Sequence, residues 1–223
     1  FKPGPSNVSS ALTLAVCVLF GGFLGLLDDW MDLRWRYKAF FPLIASIPLI
    51  SLATRLPGLR TSMAVPFLGR IDFGVYYFFV IIPLIVTITT NTVNQLGGLN
   101  GLETICPAII VVGLMAISSQ AILLYFPLMV WLLLALLNFQ GKIFVGNVGS
   151  FAIGITLAAF AIISDVKLGL LISLLPYIFN SSLILLTYFF FRTKAHVTFD
   201  GKRLISDHRR SLITFITHRR PLT

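Results

Sequence analysis

The sequence predicts an all-α fold, a polytopic bundle of transmembrane helices, and three observations support this. Hydrophobic residues make up 57% of the 223 residues and charged residues only 11%, whereas a soluble domain carries about a quarter charged residues. The apolar residues form runs long enough to cross a bilayer, which takes roughly 20 residues per helix. The sequence also lacks the short alternating segments of a transmembrane β-barrel.

We predict seven helices, and residues 1–223 are expected to form a single membrane domain. Several prolines fall inside these helices, Pro42, Pro48, Pro83, Pro127 and Pro176 among them, where neighbouring groups can satisfy the freed carbonyls. The break between the fourth and fifth helices rests on the polar residues 118–120. The predicted helices are 8–27, 39–55, 73–90, 103–119, 121–138, 148–164 and 168–191.

The connecting segments alternate between the two sides of the membrane. Twelve of the 17 lysines and arginines fall on one side, in loops near 28–38, 91–102, 139–147 and 192–223. The positive-inside rule makes that side cytoplasmic. Nearly all the unusual polar residues share this face, which favours a site on the cytoplasmic surface over a pathway through the membrane.

Charge and cysteine usage exclude other classes of site. Lysine and arginine in a membrane protein mostly mark cytoplasmic loops, so the net charge of +9 does not indicate nucleic-acid binding. Cys17 and Cys106 lack CxxC spacing, so neither a disulfide nor a cysteine metal site is predicted.

The first segment whose side chains could take part in binding or catalysis is "GLLDDWMDLRWRYK". Its apolar helix ends in two adjacent carboxylates, Asp28 and Asp29. Charges at membrane depth are costly and usually functional. Adjacent acids need a nearby cation, either a metal ion or a side chain such as Arg34, Arg36 or Lys38. The alternative interpretation is a solvated loop of mixed charge.

The second segment is "NTVNQLGGLNGLE". Asn91 and Asn94 are three residues apart and share a helix face. Amide oxygens suit Mg²⁺, and amide N–H groups suit a phosphate or a base edge. The glycines allow close backbone approach, and Glu103 begins the next helix, where its charge suits the helix dipole. The alternative is a helix–loop–helix connector with capping residues.

The third segment, "FVGNVGS", places a glycine turn at the start of a helix, and free N–H groups there bind anions. Phe144 offers a ring for stacking on a base. An ordinary turn is the commoner explanation of such a segment.

The fourth segment, "FFFRTKAH", ends a helix in Arg192, Lys194 and His196. Such juxtamembrane cations more often anchor lipid headgroups than bind phosphate ligands. Together the four segments supply carboxylates, amides, glycine turns and cations on one face, which are the groups that hold an Mg²⁺-bound diphosphate.

In these residues the sequence resembles the polyprenyl-phosphate N-acetylhexosamine-1-phosphate transferases. The first segment resembles the paired-Asp loop of that family. The second resembles the Asn-rich loop of its eukaryotic and archaeal branch, the dolichyl-phosphate GlcNAc-1-phosphate transferases, whereas bacterial members more usually have aspartates near Asn100. "KIFVGNVGSFAIG" resembles the F-x-G-D loop.

The resemblance implies a reaction in which a lipid phosphate attacks the β-phosphorus of UDP-GlcNAc, giving lipid-diphosphate-GlcNAc and UMP. Asp28 and Asp29 would orient or deprotonate the lipid phosphate, and Lys38 would neutralise phosphate charge. Asn94 would bind the metal, Mg²⁺ or Mn²⁺. The implied substrate-binding residues are Trp35, Asn91, Gly98, Asn100, Glu103, Phe144, Arg192 and His196.

Asn147 departs from the family pattern, which usually has a metal-ligating Asp at this position. Asn keeps an oxygen ligand but removes a charge, so metal binding through Asn147 is a hypothesis. The departure keeps open a catalytically inactive homologue. A membrane transporter is the other alternative, although the helix interiors carry few ionisable groups.

The resemblance also implies a setting. The family usually has ten helices, so this chain is expected to be a core fragment that lacks two helices at the start and one at the end. The expected partners are UDP-GlcNAc, a polyprenyl or dolichyl phosphate and the lipid bilayer, with a homodimer left open and no nucleic acid. The expected location is the plasma membrane in an archaeon or the endoplasmic reticulum in a eukaryote.

Overall fold

The computed structural model describes residues 5–31, 35–56, 59–65, 68–97 and 100–191, followed by 198–199, 201, 204–205, 211, 214–215 and 218. These residues group into two units, Phe1–Leu174 and Leu175–Thr223, and each is described by itself. The expectation of a single domain stays a prediction.

The first unit is a helical bundle with one β-hairpin. A π-helical segment, Tyr77–Ile81, leads directly into its fourth helix. Strands β1 and β2 pair antiparallel, with Ser62 opposite Asp72. In chain order the elements are α1 (Pro5–Met31), α2 (Trp35–Ala45), α3 (Ile47–Ala53), β1 (Ser62–Val65), β2 (Gly69–Asp72), α4 (Ile82–Gln95), α5 (Leu102–Ile117), α6 (Ile122–Phe139), α7 (Gly146–Ile163) and α8 (Lys167–Ser173).

The second unit begins with α9 (Leu175–Leu186), which continues as a π-helical segment, Thr187–Phe191. Two short strands, β3 (Thr198–Phe199) and β4 (Leu204–Ile205), pair antiparallel further along the chain.

The helices confirm the predicted all-α polytopic class. Among the described residues, four segments are long and apolar enough to cross a membrane. A fifth is added if the apolar helices on either side of Leu174 count as one span. The four segments are Val8–Met31, Tyr77–Gln95, Ile122–Phe139 and Gly146–Ile163.

Two predicted helices are interrupted. The segment predicted as 39–55 breaks at Ser46 into α2 and α3, because Pro48 has no N–H to donate and its ring conflicts with the carbonyl four residues earlier. The Ser46 hydroxyl donates to the Leu43 carbonyl at 2.6 Å and so gives one carbonyl at the break a hydrogen-bond partner. The segment predicted as 168–191 breaks at Leu174, near Pro176.

Two other boundaries differ from the prediction in ways that affect the polar residues. α1 continues to Met31, so Asp28 and Asp29 lie in its last turn and not beyond its end. α4 continues to Gln95, so Asn91 and Asn94 are helical and not in a loop. The β-hairpin was not predicted, since four-residue strands show too little of the period-2 pattern to be recognised.

α7 lies at the centre of the first unit and packs mainly against α1 and α4. Every residue from Ile153 to Ile162 is buried. Glycines allow the close approach of these helices, as is typical of membrane bundles. A Cβ placed on Gly25 would lie only 2.8 Å from the Cα of Val148. This contact brings the end of α1 against the start of α7.

Replacing Gly25 with Ala is expected to lower the unfolding free energy by about 1–3 kcal/mol, the usual cost of overpacking. The new methyl group meets backbone, which cannot rotate away. Thermal unfolding in detergent measures the loss. Gly113→Ala in α5 is the matched control, because a Cβ there meets nothing within 4 Å and should raise helix stability slightly. Equal unfolding temperatures for the two variants would contradict the close contact.

Candidate active site

A polar cavity of about 310 Å³ lies where five helices of the first unit end or begin. It is bounded by the ends of α1, α4 and α6 and by the starts of α5 and α7. Its walls are Asp29, Asn94, Asn100, Glu103, Asn138, Phe144, Val145, Gly146 and Asn147. Polar groups from segments far apart in the chain therefore meet at one end of the bundle.

The Asp29 carboxylate joins the end of α1 to the start of α7. Its Oδ1 accepts the N–H of Asn147 at 3.1 Å, and its Oδ2 accepts the N–H of Val148 at 3.2 Å. α7 has Val145 at its N-cap position and makes no cap with its own side chain, so Asp29 supplies the missing acceptor. The negative charge of Asp29 interacts unfavourably with the dipole at the C-terminus of its own helix, α1. It interacts favourably with the dipole at the N-terminus of α7.

Gly146 is the residue that admits this carboxylate. Its φ is +61°, a conformation that L side chains rarely adopt. A Cβ at Gly146 would also lie 2.9 Å from Asp29 Oδ2. The glycine of the "FVGN" segment is therefore required by both the turn and its contact with Asp29.

Asp28 faces α2 and forms an ion pair. Its carboxylate is fully buried, and its Oδ1 lies 3.3 Å from Lys38 Nζ, which is partly exposed. The predicted requirement for a cation near the paired acids is thus met for Asp28 by a side chain. Neither member of this pair lines the cavity. The two adjacent acids of α1 hold two different helices, α2 and α7.

The two asparagines of α4 also face different partners. Asn94 Oδ1 accepts the hydroxyl hydrogen of Ser150 in α7 at 2.9 Å and lines the cavity. Asn91 Nδ2 donates to the Ala39 carbonyl of α2 at 3.1 Å and does not line the cavity. The substrate-binding role of Asn91 stays a prediction.

Asn138 is a cavity residue that the sequence patterns did not identify. It is buried at the end of α6, where its Oδ1 accepts the N–H of Gly101 at 2.6 Å. Its Nδ2 donates to the Ile143 carbonyl at 2.9 Å. Asn138 therefore ties the start of α5 to the loop before α7. A lone amide at the end of an apolar helix was the signal that could have identified it.

We expect Asn138→Leu to lower the unfolding free energy by about 2 kcal/mol or more, because it leaves a buried N–H and a carbonyl without their partner. Activity should fall as the two loops separate. Asn138→Asp keeps the acceptor for Gly101 but not the donor to Ile143, so an intermediate loss is expected. Gln140→Leu, at an exposed amide outside the cavity wall, is the control, and thermal unfolding is the measurement.

The remaining cavity residues suit a ligand with a charged part and an aromatic part. Phe144 is 87% exposed, so its ring is open to stacking. Asn100 of the cavity wall is also exposed, and Glu103 lies in the first turn of α5. A side chain at Gly97 would collide with the Glu103 carboxylate, so the glycine leaves room for that acid.

The donor set of the cavity fits a hard divalent cation. Carboxylate oxygens come from Asp29 and Glu103, and amide oxygens come from Asn94 and Asn147. Such oxygens are the ligands that Mg²⁺ prefers. Across the described residues, no group of three or more His, Cys, Asp and Glu side chains could hold a metal, so a cation here would depend on the amides as well as the acids.

Four of the predicted site residues receive no structural test. Gly98, Arg192 and His196 lie outside the described residues, and Trp35 is described only as the first residue of α2. The structure brings together the predicted residues Asp29, Asn94, Asn100, Glu103, Phe144 and Asn147.

Comparison with known proteins finds a family match that contains the segments forming the cavity. Residues 11–165 match the family described as glycosyl transferase family 4. A protein of Saccharolobus solfataricus is 35% identical over 196 residues, which cover 83% of this chain and 57% of that protein. A protein of Sulfolobus acidocaldarius is 33% identical over 186 residues, covering 79% of this chain and 55% of that protein. Both are described provisionally as UDP-N-acetylglucosamine–dolichyl-phosphate N-acetylglucosaminephosphotransferases.

A protein of Schizosaccharomyces pombe with the same description, given without qualification, is 27% identical over 196 residues. The match covers 77% of this chain and 44% of the yeast protein. The chain thus spans little more than half the length of the two archaeal relatives and less than half of the yeast one. The family match includes every cavity wall residue, and the chain belongs to glycosyl transferase family 4.

Proposed function

We propose that this chain contains the catalytic core of an enzyme that transfers N-acetylglucosamine-1-phosphate from UDP-N-acetylglucosamine to a polyprenyl phosphate such as dolichyl phosphate. The products are lipid-diphosphate-N-acetylglucosamine and UMP. The family match and the names of the archaeal and yeast relatives support this activity. Because the chain spans only part of those relatives, the substrates are proposed for the whole protein and not for these residues alone.

The observation that carries the proposal is the cavity at the end of the bundle. It places carboxylate and amide groups beside an exposed aromatic ring and a helix start whose first N–H groups already hold one anion, the Asp29 carboxylate. A helix N-terminus favours phosphate, and an aromatic face favours a base. The volume of about 310 Å³ is at the lower end of the range for small-molecule sites.

The position of the cavity suits two substrates that differ in solubility. The helices that end at the cavity are apolar enough to lie in lipid, while the cavity walls are polar. A soluble nucleotide sugar reaches this end from water, and a lipid phosphate reaches it from the bilayer. We propose that this end faces the cytoplasm, because the predicted loops on that side carry most of the lysines and arginines.

The side chains divide the work in the proposed reaction. The lipid phosphate oxygen forms a bond to the β-phosphorus, and the bond to the bridging oxygen breaks, releasing UMP. Asp29 orients the attacking phosphate or accepts its proton, and Phe144 and Asn100 hold the uridine. Asn94, Asn147 and the two cavity acids are the proposed holders of Mg²⁺, which when bound neutralises the charge of the diphosphate.

The proposal is tested by measuring UMP release from UDP-N-acetylglucosamine by the purified full-length protein with dolichyl phosphate. Release is expected only when lipid phosphate and Mg²⁺ are both present, and tunicamycin should block it. A protein that is folded by thermal unfolding but releases no UMP with any UDP-N-acetylhexosamine would overturn the proposal in favour of an inactive homologue.

Asn147→Asp is expected to lower the Mg²⁺ concentration needed for half-maximal activity severalfold, because the change adds a charge to an oxygen ligand. The measurement is a Mg²⁺ titration of UMP release. Asn100→Asp is the matched comparison, because it adds the same charge to an exposed asparagine of the cavity wall. An unaltered Mg²⁺ dependence in Asn147→Asp would exclude Asn147 as a metal ligand.

A further inference from the structure

A cluster of charged residues lies at the end of the bundle opposite the cavity. α7 begins at the cavity with Gly146 and runs for 18 residues, about 27 Å. Asp165 follows it with a φ of +56°. Asp165 Oδ2 lies 3.4 Å from Arg60 Nη1 and 3.5 Å from Arg70 Nη1, and Oδ1 lies 2.8 Å from Lys167 Nζ.

The lysine of this cluster is fixed in place by its neighbours. Lys167 is buried, its Nζ donates to the Arg60 carbonyl at 2.9 Å, and the same atom lies 4.8 Å from the centre of the Tyr77 ring. Burial raises the pKa of Asp165, but the hydrogen bond from Lys167 and the charges of Lys167, Arg70 and Arg60 outweigh it and hold that pKa below its usual value.

The two arginines differ from Lys167 because they remain open to solvent. The side chain of Arg60 is 64% exposed and that of Arg70 is 49% exposed. Three cations face the single carboxylate of Asp165. The acid of the hairpin, Asp72, accepts hydrogen bonds from Thr61 and from the Gly74 N–H. The cluster therefore keeps an excess of positive charge at its exposed side.

The hairpin region that carries Arg70 also exposes apolar side chains. Leu68 at the hairpin turn, Val75 and Tyr76 after the hairpin, and Phe79 in the π-helical segment are all more exposed than buried. Cations and aromatic or aliphatic side chains at the end of a membrane span are typical of the membrane interface. Guanidinium groups match phosphate oxygens through paired N–H donors.

We infer that Arg60 and Arg70 form a binding site for the phosphate group of an anionic membrane lipid, with the exposed apolar residues of the hairpin region in contact with its chains. The site lies at the opposite end of α7 from the cavity and takes no part in the proposed transfer reaction. Free phosphate shares the headgroup chemistry but gains nothing from the apolar surroundings, so a lipid is the expected ligand.

Native mass spectrometry of the full-length protein tests this inference. The protein is mixed in detergent with phosphatidylglycerol and phosphatidylcholine in equal amounts, and the bound lipid is counted. Retention of phosphatidylglycerol is expected to exceed that of phosphatidylcholine in the unmodified protein. The Arg60→Gln/Arg70→Gln variant should lose at least roughly tenfold in phosphatidylglycerol affinity, since each basic group near an anionic lipid contributes a factor of about five.

Arg55→Gln is the matched control, because Arg55 is an exposed arginine that precedes the cluster and forms none of its ion pairs. It should bind phosphatidylglycerol as the unmodified protein does. Equal retention of the two lipids by the unmodified protein would overturn the inference without depending on any variant. So would an equal loss of phosphatidylglycerol in the control, or full displacement of the lipid by an equal concentration of inorganic phosphate.

Discussion

Asp29→Asn is expected to reduce the rate of UMP release by a factor of about 100 or more, in the range for loss of a group that moves a proton or stabilises charge. Asp29 is the carboxylate that both lines the cavity and contacts the start of α7. Asn keeps an acceptor oxygen for one of the two N–H groups, so the fold should be largely retained. Initial rates at saturating substrates measure the effect.

Asp72→Asn is the control for this change. Asp72 lies in the hairpin at the other end of the bundle and accepts its hydrogen bonds through Oδ1 alone, which Asn retains. Its rate should match that of the unmodified protein. If Asp29→Asn unfolded at the same temperature and retained a rate within about twofold of the unmodified protein, far from the roughly 100-fold loss that removal of a proton-transfer group causes, the proposed role of Asp29 would be wrong.

Lys38→Met is expected to lower the unfolding free energy by about 3 kcal/mol, because removing one member of a buried ion pair leaves the other poorly compensated. Asp28 is fully buried and loses the ion pair with Lys38 in this variant. Activity should also be lost, because α2 is no longer held against the end of α1. Thermal unfolding and UMP release are measured on the same preparations.

The double variant Asp28→Asn/Lys38→Met distinguishes the effect of the ion pair on stability from a role of Lys38 in the reaction. It removes both charges, so stability should largely return. Activity should stay low if Lys38 also neutralises phosphate charge during the reaction. Recovery of both stability and activity would show that the pair only holds the two helices together, and the phosphate role expected for Lys38 would then be withdrawn.

Some residues of the cavity could be identified from their immediate neighbours in the sequence. Asp29 and Asn94 were recognised because acids and amides at the ends of apolar helices are costly and conspicuous, whereas Asn147 was implied only by the resemblance to the F-x-G-D loop. Asp29 accepts a hydrogen bond from the N–H of Asn147, and Asn94 accepts one from Ser150 of the same helix, so these segments meet at one end of the bundle. The prediction of membrane helices was confirmed for a similar reason, since long apolar runs permit few other structures.

The features that were missed depend on partners far away in the chain or on small angular differences. Asn91 and Asn94 are three residues apart, which leaves them about 60° apart around the helix. That difference directs Asn91 to α2 and Asn94 to α7. Asn138 has backbone partners on two separate loops, and no spacing in the sequence indicates them.

The link between Asp29 and α7 also has a consequence for how the protein is made. Asp29 and Asn147 are separated by 118 positions in the chain. At a synthesis rate of about 5–20 residues per second, Asn147 at the start of α7 is made roughly 6–24 s after Asp29. During that interval the carboxylate at the end of α1 has no α7 to cap. Synthesis of α7 is therefore the step that completes the site, because Asp29 has its two N–H partners only once Asn147 and Val148 have been made.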